Sequence, residues 1–370
     1  MASTCLKSLT RSMLGAAAMA AALAPLQAQA CTSFLIKASN GDPVYGRTME
    51  FGFELDSAAI VIPRQYTLSA TGPDGKVGGG MSWKARYGAV GLNAFDMPIL
   101  TDGMNEKGLT GGILYFPDYV GYADPATAKP DGAMAPWDFL TWALTNFATV
   151  AEVKAALGGI SIVGVKEPEM GIVPPFHYTL HDATGASLVV EPVGGTLKVY
   201  DNPLGVMTNS PEFSWHLTNL KNYVKLSPVN VPPLEVDGQS IASFGQGSGL
   251  LGTPGDPTPP SRFIRALGYA MSVKPAESGI NSVRLAEHIA NNFDIPVGWI
   301  RPGADDGSSP LEYTQWTTVA DIKNGRYYVK TYDDQVLREI DLSGFDLDAK
   351  DIATAPLKPS VEAPALAFPK

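Results

Sequence analysis

An apolar, alanine-rich run near the start of the chain ends directly before its second and last cysteine. The run covers residues 13–26, follows Lys7 and Arg11, and leads through an Ala-Gln-Ala tripeptide to Cys31. A positively charged segment, an apolar stretch and a small-x-small site together are typical of a secretory signal. The run is too short for a membrane span. We therefore predict that residues 1–30 are removed and that Cys31 begins an exported, periplasmic protein with no membrane span.

The charge of the chain excludes several classes of partner. Loss of the first segment removes two positive charges and no acid from a chain whose formal net charge is already -10. Such an acidic protein is poorly suited to binding nucleic acid or an anionic membrane surface. We see no internal repeat and no linker, so we predict one domain over residues 31–350 and a proline-rich tail over residues 351–370.

Cys31 has no partner within the chain once Cys5 leaves with the signal. An internal disulfide is therefore excluded, which leaves an intermolecular link, a lipidation site, an inert buried residue or a reactive thiol. Ala28 is a weak match for the apolar residue that a lipoprotein signal needs, although a lipid-anchored periplasmic binding protein stays an alternative. Cleavage would put a thiol and a free α-amine, with an ordinary pKa of about 8, on one residue. Cys31 could then serve as nucleophile and base together.

Alternating apolar and polar residues predict a sheet-rich fold. The segment CTSFLIKASNGDPVYGRTMEF has an Asn-Gly pair between two alternating runs, which predicts a hairpin at residues 31–51. Further strand-like runs are AAIVIP, YGAVGLNAF, GGILYF, FHYTLHD, ASLVVEPV and TLKVYD, and a second Asn-Gly hairpin is predicted within residues 313–334. Helices are predicted over residues 135–157 and 281–293 and from near Ser261.

The order of these elements indicates the fold class. Strands and helices occur in separate blocks, which favours α+β layers over alternating βαβ units. The glycine- and proline-rich residues 245–261 predict a long loop that could line a site.

Four blocks, in order along the chain, resemble the choloylglycine hydrolase and penicillin V acylase family of N-terminal-nucleophile hydrolases. They are CTSFLIKASNGDPVYGRTMEF, DGMNEKGLTGGILYFP, VMTNSPEFSWHLTNLKNY and GTPGDPTPPSRFIRA. The resemblance implies a four-layer αββα sandwich with Cys31 at the start of an inner strand. It also implies hydrolysis of a linear amide through an acyl-cysteine intermediate.

The first block carries three residues for which the resemblance implies roles. Cys31 matches the nucleophile, and Arg47 matches an arginine beside the thiol, where its charge favours thiolate. Glu50 stands where most family members have an aspartate near the amine of the nucleophile, and its carboxylate could orient that amine. The alternatives from the residues alone are a buried inert cysteine, a surface arginine and a solvated strand acid.

Three further residues follow from the other blocks. Asn209 matches the asparagine whose side-chain amide donates to the oxyanion of the tetrahedral intermediate. Arg262 matches the arginine that completes the cluster around the thiol. Tyr115 stands where bile salt hydrolases usually have asparagine, which implies a different pocket and a penicillin-acylase-like, Gram-negative branch. On their own, Asn209 could be a turn residue and Arg262 a surface residue.

The remaining chemistry-bearing residues indicate no cofactor and no metal. His177 and His181 are four residues apart, but on a predicted strand and without the acid motif of a zinc protease, so we interpret the histidines as structural or surface residues. A serine hydrolase elbow is also missing.

The expected substrate is a small amide with an apolar acyl group. Penicillin V is preferred over the alternatives, conjugated bile salts and N-acyl homoserine lactones. The resemblance also allows a homotetramer.

Overall fold

The computed structural model describes residues 30–301, 311–357 and 365–368. The predicted signal segment lies outside these residues, apart from Ala30, as does much of the proline-rich tail. The first hairpin forms as predicted, with Gly41 in its turn at a φ of +90° that the missing Cβ permits. The strands are, in chain order, β1 Cys31–Lys37, β2 Pro43–Phe51, β3 Ala58–Ile62, β4 Thr67–Thr71, β5 Val77–Lys84, β6 Ala89–Leu92, β7 Asp102–Asn105, β8 Thr110–Tyr115, β9 Ala133–Met134, β10 Ser161–Ile162, β11 Phe176–His181, β12 Ser187–Val193, β13 Thr196–Asp201, β14 Leu234–Val236, β15 Gln239–Ile241, β16 Tyr313–Asp321, β17 Arg326–Thr331, β18 Arg338–Asp341 and β19 Ala353–Pro356.

Helices connect and cover the strands. The α-helices are α1 Phe139–Asn146, α2 Val150–Ala156, α3 Phe213–Leu220, α4 Pro259–Ser272 and α5 Ile280–Ala290. Single turns of 3₁₀ helix occur at Pro130–Gly132, Leu157–Gly159, Lys221–Tyr223, Ser248–Leu250, Asn291–Phe293 and Leu342–Gly344. Among the described residues, no helix combines the length and the apolar character that crossing a membrane requires.

Two antiparallel sheets form the centre of the molecule. One has the order β1-β2-β16-β17-β18, and the other has the order β13-β12-β11-β8-β7-β6-β3-β19. Helices α4 and α5 pack on β1, β2 and β16 of the first sheet, whereas α1 and α2 pack on β7, β8 and β12 of the second. The strands β1 and β16 contact β8 and β7 across the interface between the sheets. This arrangement confirms the predicted α+β class and the αββα order of layers.

The helix predicted over residues 135–157 is instead two helices, α1 and α2. Phe147 leaves the helical region, with φ -122° and ψ 151°. Thr149 caps α2 by accepting the Glu152 N–H at 3.2 Å, and the Glu152 carboxylate accepts the Ala148 N–H at 2.7 Å. These two contacts resemble a capping box, although Glu152 accepts from the residue before the cap, and they supply acceptors for N–H groups at the start of a new helix.

Two proline-rich segments take defined positions. In the predicted loop of residues 245–261, residues 245–258 are irregular apart from the turn at Ser248–Leu250, and Pro259 begins α4. In the C-terminal segment, Ala353–Pro356 forms β19 and pairs antiparallel with β3 at the edge of the eight-stranded sheet. Proline is tolerated there because an edge strand leaves one row of N–H groups unpaired.

Candidate active site

Cys31 and the side chains nearest its thiol come from neighbouring positions of the first hairpin. In the register of β1 and β2, Cys31 lies opposite Met49, and the distance from Cys31 Sγ to Met49 Sδ is 3.8 Å. Because side chains alternate across a strand, Arg47 shares a face with Met49. Its Nη2 lies 3.8 Å from Cys31 Sγ. The Arg47 guanidinium also donates to the Ile113 carbonyl in β8, so the thiol lies between the two sheets.

Arg47 is fully buried and its charge is balanced by a buried acid. Its Nη1 donates to the Thr101 carbonyl at 2.8 Å and lies 3.3 Å from Asp102 Oδ2. The Asp102 carboxylate also accepts from the hydroxyls of Tyr45, Thr318 and Tyr327, at 2.8, 2.9 and 2.6 Å. A buried ion pair persists only when its remaining hydrogen-bonding positions are satisfied. These contacts fix the guanidinium beside the thiol and rule out a surface position for Arg47.

Asn209 connects three predicted site residues through one side chain. Its Oδ1 accepts from the Cys31 backbone N–H at 2.8 Å and from Arg262 Nη2 at 2.6 Å. Its Nδ2 donates to the Tyr115 carbonyl at 2.8 Å. Since both partners of Oδ1 are donors and the partner of Nδ2 is an acceptor, the amide orientation is determined by its contacts. One of the two Nδ2 hydrogens is left for another acceptor.

Arg262 holds the backbone of Cys31, and none of its hydrogen bonds goes to the thiol. From α4 it donates to the Cys31 carbonyl, to Thr32 Oγ1 at 2.8 Å and, through Nε, to the Pro257 carbonyl at 2.8 Å. The end of the predicted loop therefore contributes to the site through a backbone carbonyl. Arg262 is buried, and its burial is tolerated because several acceptors of the protein bind its guanidinium.

Tyr115 presents its backbone to the same place. Phe116, the next residue, donates its N–H to the Pro175 carbonyl on the β11 side. Because successive backbone groups of a strand point to opposite edges, the N–H and C=O of Tyr115 point away from β11. The Asn209 contact shows that this edge faces the site. The Tyr115 ring packs edge-on against Phe51 and Phe176, with centroids 6.1 and 6.2 Å away.

Glu50 lies on the opposite face of β2, toward α4 and α5. Its Oε1 accepts from Thr314 Oγ1 at 2.9 Å, and its Oε2 has no hydrogen-bond partner within the described ranges. Burial raises the pKa of Glu50 to about 8, against the opposing effect of Arg262, and the nearby Glu312 adds to the rise. Glu50 is thus a buried acid and not a solvated one.

Burial also governs the ionisation of the Cys31 thiol. It raises the pKa of the Cys31 thiol, and Glu50 adds to this effect, while Arg47 and Arg262 favour the thiolate. Because Ala30 precedes Cys31 here, the Cys31 nitrogen is a peptide amide that stands in the place of the α-amine of a processed chain. The N–H of Ala30 donates to Glu312, a buried acid whose pKa burial raises to about 7.

The thiol opens into an apolar cavity. Aromatic side chains form much of its wall, and the polar groups among the lining residues are few. The lining residues are Cys31, Met49, Phe51, Leu55, Ala94, Phe95, Met97, Ile99, Thr101, Ile113, Tyr115, Trp137, Glu167, Met170 and Phe176. A cavity of this kind suits an apolar ligand held by a small number of polar contacts.

Two buried histidines hold the backbone on either side of the Asn209 side chain. His177 Nε2 and His216 Nε2 donate to the carbonyls of Thr208 and Asn209, each at 2.9 Å. Both nitrogens carry protons, because a carbonyl oxygen can only accept. Burial lowers the pKa of His216 to about 4, so this ring is neutral above that pH. Each ring also stacks on a phenylalanine, Phe116 or Phe263.

The structure brings the six predicted site residues together, although with a different division of contacts than expected. Cys31 and Tyr115 line the cavity, and Arg47 lies beside the thiol. Glu50 and Arg262 lie toward α4, and Asn209 connects Arg262 to Tyr115. Sequence reasoning missed Asp102, Glu312 and Glu167. It interpreted the histidines as structural or surface residues, and His177 and His216 are buried structural ones. Asp102 stands within one of the family-like blocks, DGMNEKGLTGGILYFP, and this position was the available signal. Within the described part of the chain, no group of three or more His, Cys, Asp or Glu side chains could hold a metal ion.

Comparisons with known proteins show what the chain is similar to. Residues 31–355 match the family described as linear amide C-N hydrolases, choloylglycine hydrolase family. A bile salt hydrolase/transferase of Clostridium perfringens is 35% identical over 88% of this chain and 96% of its own. A penicillin V acylase of Pectobacterium atrosepticum is 28% identical over 82% of this chain and 78% of its own. A crystal structure of conjugated bile acid hydrolase from Clostridium perfringens superposes with a TM-score of 0.79 at 33% identity, covering 91% of this chain and 100% of that one.

Proposed function

Because the chain belongs to the choloylglycine hydrolase family of linear amide C-N hydrolases, we propose that its processed form cleaves amides through a Cys31 thioester. The observation that carries the proposal is the position of Cys31. Its thiol opens into an apolar cavity, while its nitrogen is held by Asn209 at 2.8 Å. One residue thus presents a nucleophile to an apolar acyl group and a nitrogen that is free to act as a base once residues 1–30 are removed.

The proposed reaction begins with attack of the Cys31 sulfur on the amide carbonyl carbon. The thiol proton passes to the α-amine of the same residue. The negative oxygen of the tetrahedral intermediate accepts from the Tyr115 N–H and from the remaining Asn209 Nδ2 hydrogen, a type of contact worth about 3–4 kcal/mol elsewhere. The C–N bond breaks as the α-ammonium protonates the leaving amine. Water then attacks the thioester with the α-amine as base, releasing the acid and restoring the thiol.

Two residues have supporting roles in this proposal. Arg47 lies 3.8 Å from the sulfur and favours the thiolate. Glu50 influences the charge near the α-amine and does not touch the thiol. The first test compares the chain that begins at Cys31 with its Cys31→Ala variant, using amide hydrolysis and thermal unfolding. Hydrolysis by a folded Cys31→Ala variant would refute the mechanism.

Among acyl groups, we propose that a planar aromatic group, as in penicillin V, is preferred over a steroid. Support comes from Tyr115, Phe51 and Phe176, whose rings meet edge-on in the wall of the cavity. Such packing gains about 1 kcal/mol per aromatic pair beyond burial. Comparison of kcat/KM for penicillin V and glycocholate on one preparation tests this preference. A value for glycocholate tenfold higher would reject it.

Hydrolysis of conjugated bile salts is the second candidate, favoured by the names of the relatives at 30% identity or more. The bile salt hydrolase/transferase of Clostridium perfringens is 35% identical, against 28% for the penicillin V acylase. The same kcat/KM comparison decides between the two candidates. N-acyl homoserine lactones are included as a third substrate because they also join an apolar acyl group to a small polar amine.

We further propose export to the periplasm and assembly into a homotetramer. The hairpin of β14 and β15 projects from the fold with all six of its residues exposed, and Phe244 just beyond it is also fully exposed. A run of exposed apolar side chains is typical of a protein interface. Light scattering of wild type and of a Phe244→Ser variant tests the assembly.

Mass spectrometry of the intact exported protein tests the processing. A mass that corresponds to a chain beginning at Cys31, without added lipid, would support signal removal and exclude lipid anchoring.

A further inference from the structure

The cavity that contains the Cys31 thiol also contains one acidic side chain, Glu167. This residue lies between β10 and β11 and is only 3% exposed. Its neighbours in the cavity wall include Met170, Trp137 and Phe176, so the carboxyl group is surrounded mainly by apolar side chains. The other described acids of the site, Glu50, Asp102 and Glu312, do not line this cavity.

Half of the Glu167 carboxyl group has a structural role. Its Oε2 accepts the Met170 N–H at 2.6 Å, its backbone N–H donates to the Ile172 carbonyl, and its own carbonyl accepts from Gly171, both at 2.8 Å. These three bonds form a tight turn and fix the direction of the side chain. Oε1 takes part in none of them. Within the described ranges, no donor bonds to Oε1 and no Lys or Arg forms an ion pair with the group, and Oε1 is not among the oxygens that are sealed from solvent.

A mostly buried carboxyl oxygen without a protein donor is a position at which a ligand can supply one. The turn needs only a single acceptor at this position, which an uncharged glutamine would also supply. The acid therefore offers one acceptor more than the turn requires, and this free oxygen belongs to a residue that lines the cavity beside Cys31. A ligand that supplies a donor would restore the missing partner.

We propose that Glu167 determines substrate specificity by binding a hydrogen-bond donor, a hydroxyl or an ammonium group, on the acyl part of the substrate. This inference rests on the proposed function, since it needs an acyl group attached to Cys31 to extend into the same cavity. The substrate class becomes an amide whose acyl group is apolar along its length and carries a donor away from the scissile bond. A hydrogen bond in which the acceptor or the donor is ionised is stronger than one between two neutral groups.

The test uses p-nitroanilides of phenoxyacetic acid, either unsubstituted or with a hydroxyl or aminomethyl group at ring position 3 or 4. Wild type should cleave the best donor-bearing amide at least tenfold faster, in kcat/KM, than the unsubstituted one. Glu167→Leu should lose this preference, and Glu167→Gln should keep part of the hydroxyl preference while losing the ammonium preference. Glu169→Leu is the matched control, because Glu169 is exposed two residues away.

An equal preference in wild type and Glu167→Leu would overturn the proposal and leave Glu167 as a turn residue only. Protection of Cys31 from iodoacetamide by the same amides measures binding without turnover, so it applies to variants with slow chemistry. If wild type cleaves none of the amides, the proposed function fails separately. If wild type cleaves them all without a donor preference in either assay, only the role of Glu167 fails.

Discussion

Glu50 provides a prediction whose size follows from its surroundings. In the chain that keeps Ala30, burial raises the pKa of Glu50 from its ordinary value of 4.5 to about 8. An unfolded chain would release this proton near pH 4.5, whereas the folded chain retains it to about pH 8. The folded state therefore loses stability as the pH rises through this window. Each pH unit contributes about 1.4 kcal/mol, so the upper limit of the loss is about 5 kcal/mol.

Substitution Glu50→Gln should remove this loss, because glutamine resembles the protonated acid in shape and keeps an oxygen for Thr314. Urea unfolding followed by tryptophan fluorescence, between pH 4.5 and 8.5, measures the free energy of unfolding of both forms. Relative to wild type, the stability of Glu50→Gln should rise with pH, from little difference near pH 4.5 to a gain of several kcal/mol, at most about 5 kcal/mol, near pH 8. Glu169→Gln serves as control, since its exposed carboxylate should leave the pH dependence unchanged.

The same experiment on the chain that begins at Cys31 gives an independent result. A positive α-ammonium near Glu50 favours the ionised carboxylate. The pH dependence should therefore become smaller than in the chain that keeps Ala30. Parallel curves for wild type and Glu50→Gln in the longer chain would show that Glu50 is ionised in the folded state, and this would refute the reasoning.

Three further predictions test other parts of the site. A folded chain that keeps Ala30 before Cys31 should hydrolyse amides at least 100-fold more slowly than the processed chain, because its base is an amide; single-turnover kinetics measure this. His216→Phe should lower kcat about tenfold with little change in KM and no change in Cys31 alkylation, and His216→Gln should restore part of the rate, because the Asn209 carbonyl regains a donor. Peroxide should stop hydrolysis and a thiol reductant should restore the sulfenic acid fraction, measured as recovered activity; activity that is indifferent to peroxide would contradict a Cys31 nucleophile.

Local sequence patterns were sufficient to predict two hairpins of the five-stranded sheet, β1–β2 and β16–β17. The Asn-Gly pairs at Gly41 and Gly325 fit turns with positive φ, +90° and +65°, and their flanking alternation gave both hairpins. Such signals are contained within about ten residues of chain. The break between α1 and α2 was missed because the capping box at Thr149 was read as part of an apolar helical pattern.

Long-range contacts account for the rest of the site. Asp102 binds Arg47 and Tyr327 across separations of 55 and 225 residues, and no periodicity connects these positions. His216 acquires its role only when α3 packs behind Asn209. The resemblance placed Cys31, Arg47, Asn209 and Arg262 in one cluster, but it did not reveal that Arg262 holds the backbone of Cys31 and leaves the sulfur to Arg47.

If residues 1–30 are removed as we propose, the burial of the residues on both sides of that bond determines when the cleavage can occur. Ala30 and Cys31 are 3% and 2% exposed, and the N–H groups of both are bonded to side chains from distant parts of the chain. A signal peptidase is a separate protein and needs an extended, accessible segment, which the folded molecule does not offer at this bond. Cleavage by such an enzyme must therefore come before β1 joins its sheet. Under the proposed processing, a chain that folds first would keep its first segment, so the relative rates of folding and cleavage would set the yield of processed protein.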